Sequence, residues 1–86
     1  MTKIYIYCLF DKDTLVGVYS SLKAVHRDAL RLANQGSSRI VMQANGDILE
    51  PSLTTLRNTF RGKCDFDVNY RTHSTFIKIY KTKLKE

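Results

Sequence analysis

Apolar residues along the chain recur with two periods, and the switches between them mark a series of short elements. From Lys3 to Phe10 nearly every position is apolar: Ile4, Ile6 and Cys8 fall on one face of an extended chain, and Tyr5, Tyr7 and Leu9 on the other. A strand apolar on both faces is expected in the middle of a sheet, covered on both sides. Asp11-Lys12-Asp13 reads as a turn, and Thr14 to Tyr19 as the returning strand of a first hairpin. The period then changes. Leu22, Val25, Ala29, Leu32 and Ala33 recur at helical spacing behind Ser20-Ser21, whose hydroxyls suit an N-cap. This helix is expected to run to Gln35, with Gly36 as its C-cap.

The second half repeats the scheme on a smaller scale. Between Arg39 and Glu50, Asn45-Gly46 separates two short apolar segments, and this pair tolerates the positive φ that both positions of a type I′ turn require. A second, smaller hairpin follows from it. Pro51-Ser52 opens a short helix with Leu53, Leu56 and Phe60 facing inward and Arg57 and Arg61 outward; Gly62 ends it and Lys63 lies just beyond. Cys64, Phe66, Val68 and Tyr70 then alternate with Asp65, Asp67 and Asn69. After a turn from Arg71 to Ser74, the last strand spans Thr75 to Leu84, with Ile77 and Ile79 on one face and Phe76, Lys78 and Tyr80 on the other. The order ββα-ββ-α-ββ predicts an α+β fold, a small antiparallel sheet with two helices packed on it. Residues 1–86 form a single domain in this reading, and residues 80–86 a basic tail that frays.

Charge changes the picture from fold to partner. Residues 51–86 hold eight Lys/Arg against three Asp/Glu, while residues 1–50 hold six against five. The +6 net charge is therefore concentrated in the second part of the chain. A basic surface interleaved with aromatic rings suits a polyanion, of which RNA is a common one. The candidate RNA contacts are Arg57 and Arg61 on the short helix, Lys63 past its end, Arg71 in the turn, and Lys78, Lys81 and Lys83 on the last strand. Phe76 and Tyr80 are candidates to stack on unpaired bases. Without a ligand, the same residues describe a solvated surface whose edge strand is guarded by lysines. Lys23, Arg27 and Arg31 step by four on the first helix, but Asp28 sits among them and their part is open. Tyr5 and Tyr7 suit a core layer beneath a helix better than a stacking or dimer face.

Signals for catalysis are weak. His26 borders the apolar stripe of the first helix and reads as half-buried. His73, flanked by Arg71 and Thr72, can be drawn with Lys78 as a ribonuclease centre, but nothing supplies a second acid/base group. Asp65 and Asp67 are two carboxylates without a third ligand. Cys8 and Cys64 have no cysteine-pair or Cys/His spacing for zinc; two cysteines allow one disulfide on count alone, but in a reducing cytosol they read as two buried free thiols. The expectation is a protein that is not an enzyme, with no catalytic residue, no metal and no cofactor. No apolar run approaches the ~20 residues needed to cross a bilayer. The start, Met1-Thr2-Lys3, has no secretory apolar region, so a cytoplasmic protein without a membrane partner is expected. A chain this short buries roughly 60–65% of its unfolded surface, which favours a homodimer.

The opening, with Tyr5, Tyr7, Leu9 and Asp11 ahead of Gly17-Val18-Tyr19-Ser20-Ser21 and Ala24, resembles the start of many small accessory proteins of tailed phages. That pattern covers about a third of the chain. Together with size and charge it resembles the TifA-like inhibitors of T4-like phages, which act on the ToxN endoribonuclease of a type III toxin–antitoxin system. The resemblance implies a non-enzymatic inhibitor that binds RNA and a host toxin endoribonuclease together. A general nucleic-acid-binding regulator and a protein-only interaction module are the alternatives.

Overall fold

The order of elements read from the sequence holds. The computed structural model describes residues 4–34 and 39–85. In chain order it contains β1 (Tyr5–Asp11), β2 (Thr14–Tyr19), α1 (Leu22–Ala33), β3 (Val41–Ala44), β4 (Asp47–Leu49), α2 (Leu53–Phe60), β5 (Phe66–Arg71) and β6 (Phe76–Lys83). The strands form one antiparallel sheet in the order β2-β1-β6-β5-β3-β4, so the last strand is inserted between the first hairpin and β5.

Local chemistry sets the element ends. Ser21 caps α1 by accepting from the Ala24 amide at 3.2 Å, and Ser52 caps α2 by accepting from the Thr55 amide at 3.0 Å. α1 ends on Asn34, while the expected continuation through Gln35 and the Gly36 cap lie outside the described residues. Asn45 and Gly46 both have positive φ, as the type I′ reading requires. In the first hairpin Leu9 faces Gly17 and Phe10 faces Leu15, so Val16 is an extra residue and β2 carries a bulge.

Register then sorts the sheet into two faces. Ile79 lies between Leu9 and Val68, and Tyr70 between Ile77 and Met42. All six side chains are buried, and both helices cover them. α1 contributes Val25, Ala29 and Ala33, and α2 contributes Leu56 and Phe60. The Phe60 ring meets Tyr7 at 5.8 Å and Phe66 at 6.1 Å between centroids. Full burial of one such aliphatic or aromatic side chain contributes about 1.5–3 kcal/mol. No helix among the described residues is long and apolar enough to cross a membrane.

Three expectations are corrected. First, β1 is covered on one face only. Tyr7 and Leu9 pack under the helices, whereas Ile6, Cys8 and Phe10 point to the helix-free face, because the two apolar helix stripes meet each other and the same side of the sheet. Cross-strand neighbours shield those three residues partly: Ile6 sits beside Thr82, Cys8 between Val18 and Tyr80, and Phe10 between Leu15 and Lys78. Second, residues 80–83 do not fray. They belong to β6, with Tyr5 opposite Lys83, and the Leu84 amide donates to the Ile4 carbonyl at 2.8 Å. Lys81 anchors this stretch. It is buried, its Nζ donates to the Phe60 carbonyl at 3.0 Å, and it lies 4.6 Å from the Tyr5 ring centroid. Third, both cysteines are free thiols but neither is buried: Cys8 is half-buried and Cys64 is exposed. It precedes β5, and the positive φ of Asp65 breaks the alternation there.

Candidate nucleic-acid interface

The helix-free face of the sheet is built from the even-numbered residues of β6 and their partners on β1 and β5. Phe10 lies opposite Lys78, whose ammonium is 5.7 Å from the Phe10 ring centroid. Phe76 lies opposite Arg71, whose guanidinium carbon is 5.4 Å from the Phe76 ring centroid. The Arg71 Nη1 also donates to Gln43 Oε1 on β3 at 3.0 Å, so its guanidinium is held from two sides. Two cation–aromatic pairs thus sit side by side on three neighbouring strands. Each offers a ring on which a base can stack and a cation for the adjoining phosphate.

This face is polarised along the strands. At the other end of β6, the Tyr80 hydroxyl donates to Asp65 Oδ1 at 3.0 Å and the Thr82 hydroxyl donates to the same oxygen at 2.7 Å. These bonds hold the Asp65 carboxyl below its ordinary pKa, the Thr82 bond first, and the Asp65 bond raises the Tyr80 hydroxyl. Asp67 lies opposite Tyr80. A phosphate approaching Tyr80 meets two carboxylates, whereas one approaching Phe10 and Phe76 meets Lys78 and Arg71.

The nine residues read from the sequence as RNA contacts therefore divide. Arg71, Phe76, Lys78 and Tyr80 share the open face. Arg57, Arg61 and Lys63 are exposed, but they lie with α2 on the opposite side of the sheet, where the Lys63 ammonium stands 4.4 Å from the Phe66 ring centroid. Lys83 is exposed on that side too, opposite Tyr5. Lys81 is withdrawn altogether by its bond to Phe60. On α1, Arg27 and Arg31 both approach Asp28, at 3.2 and 3.8 Å. The same carboxylate accepts from the Tyr19 hydroxyl at 2.6 Å, which is the main cause of its lowered pKa.

Phe10 and Gln43 belong to this face and were not singled out from the sequence. The signal for Phe10 was present: it shares strand parity with Ile6 and Cys8, and one covered face would have left it pointing away from the core. Gln43 became visible only with the β3–β5 register.

The remaining titratable groups are structural or dispersed. His26 Nδ1 lies 2.5 Å from the Tyr70 hydroxyl beneath α1; burial lowers the pKa of His26 and raises that of Tyr70. His73 is exposed in the β5–β6 turn beside Arg71. No group of three or more His, Cys, Asp or Glu side chains suited to a metal occurs among the described residues. No protein-family model, curated protein or solved structure matches the chain.

Proposed function

We propose that this chain is a non-enzymatic, RNA-binding phage accessory protein that inhibits a bacterial toxin–antitoxin endoribonuclease in the host cytoplasm by binding RNA and toxin together. The observation that carries the RNA half is the pairing of Phe10 with Lys78 and of Phe76 with Arg71 on an open sheet face. Single-stranded nucleic acid is bound by this combination of stacking platforms and cations, without much sequence preference. The net charge of +6 points the same way. A basic protein does not imitate an RNA antitoxin electrostatically, so RNA held by the toxin is the natural target.

The protein half rests on the edge strand β2. Leu15, Val16 and Val18 are each about half exposed there; Leu15 and Val18 stand opposite Phe10 and Cys8 and carry the apolar part of the open face out to the unpaired edge. That edge suits a protein partner, either the toxin or a second copy adding its own β2. The same observation favours the second reading, a protein-only interaction module. The test is toxin inhibition and pull-down before and after complete nuclease digestion, with the 260/280 nm absorbance ratio of the purified protein followed through a high-salt wash. The proposal expects bound RNA that salt removes and inhibition that nuclease abolishes. Equal inhibition after digestion would leave the protein-only reading standing.

A further inference from the structure

At the β3–β5 margin of the open face lies a shallow depression of about 290 Å³, near the low end of small-molecule site sizes. Arg39, Arg71 and His73 reach it, Val41 and Ile48 form an apolar wall, and Gln43 closes it from β3. It adjoins the Phe76–Arg71 pair, because Arg71 belongs to both.

We propose that this depression binds the terminal phosphate monoester of a single-stranded RNA, with the last nucleotide against Val41 and Ile48. The inference rests on the RNA reading above and names the end at which the strand stops. Three features select a monoester over an internal phosphodiester. A monoester carries nearly two negative charges at neutral pH and three terminal oxygens, against one charge for a diester. Two guanidiniums converging on one concavity match that charge and geometry, since each can engage two oxygens. The depression also sits where the platform runs out, between the exposed β4 edge at Ile48 and the turn after Arg71. Arg71 is already oriented by Gln43 and Phe76. Arg39 is shared with a counter-charge: its Nη2 lies 3.4 Å from Glu50 Oε1, and both side chains are about four-fifths exposed. An ion pair this exposed is weak, so a bound phosphate can draw Arg39 away from Glu50.

The experiment measures binding of the full chain to an unlabelled oligouridine octamer by isothermal titration calorimetry. Three octamers are compared at low salt, with hydroxyl ends, a 5′-phosphate and a 3′-phosphate. Binding of one phosphorylated end about tenfold tighter than the hydroxyl-ended octamer is expected, the size of one charge-assisted hydrogen bond. Arg39→Ala should erase that preference and leave hydroxyl-ended binding in place. Glu50→Gln should strengthen it by up to about fivefold. Circular dichroism melting verifies that both variants remain folded, as is expected for exposed side chains. Equal affinity for all three octamers would overturn the terminal-phosphate site while leaving the open-face RNA reading intact. No binding of any octamer would overturn both.

Discussion

Lys78 and Lys81 stand three residues apart on one strand and live in different worlds. Lys81 is buried under α2, with its ammonium on the carbonyl of the last α2 residue and beside the Tyr5 ring. Lys78 lies on the open face, with its ammonium beside the Phe10 ring. Strand parity alone separates them: Ile77, Ile79 and Lys81 face the helices, and Phe76, Lys78 and Tyr80 face away. The comparison teaches that charge counted along a strand is not charge available to a ligand. A lysine on the covered face can serve as packing and a helix-end cap, its stem filling apolar space while its head finds a carbonyl.

Substitutions on the two faces should therefore move different observables. The largest effect belongs to the covered side. Phe60→Ala should cost about 3–5 kcal/mol, measured by urea denaturation, because the ring bridges Tyr7, Phe66 and the α2 end. Lys81→Met keeps the apolar stem and removes the donor, so stability should fall by about 1–3 kcal/mol while RNA affinity per folded molecule is unchanged. On the open side, Phe10→Ala should weaken single-stranded RNA binding by about 1–3 kcal/mol in calorimetric titration. Lys78→Met mirrors Lys81→Met: stability should stay within about 0.5 kcal/mol, and the slope of log affinity against log salt should become shallower by about 0.7. If the two lysine variants gave the same pattern, the division of the faces would be wrong.

The smallest effect is a pH dependence on the covered side. Burial lowers the His26 pKa below its ordinary 6.5, so the folded chain resists a proton that the unfolded chain accepts. The stability this group contributes is present above pH 6.5 and is lost as pH falls below it. Thermal midpoints between pH 7.5 and 5 should fall through that window, and a His26→Gln variant should flatten the decline.

Much of the fold was legible because its signals are local. Ser21 and Ser52 as caps, Asn45-Gly46 as a tight turn, and the stripes Val25-Ala29-Ala33 and Leu56-Phe60 each follow from side-chain chemistry within a few residues. The alternation of Phe76, Lys78 and Tyr80 against Ile77 and Ile79 was equally plain. What escaped depended on long-range pairing. Whether one or two faces of β1 are covered depends on where both helices dock, and this decided that Phe10 belongs to the interface. The end of β6 looked like a loose basic tail because its anchors, Tyr5 and the Phe60 carbonyl, are distant in sequence. Arg57, Arg61 and Lys63 looked continuous with Lys78 in the charge profile, yet the thickness of the sheet stands between them.

The central claim is that the open sheet face, and not the helix layer, receives single-stranded RNA. Amide chemical-shift mapping on the uniformly labelled chain, titrated with a hydroxyl-ended oligouridine octamer at low salt, tests it most directly. The account predicts that shifts concentrate at Phe10, Arg71, Phe76 and Lys78, with the α2 amides from Leu53 to Phe60 unmoved. Shifts centred on Arg57, Arg61 and Lys63, or none at all, would contradict it.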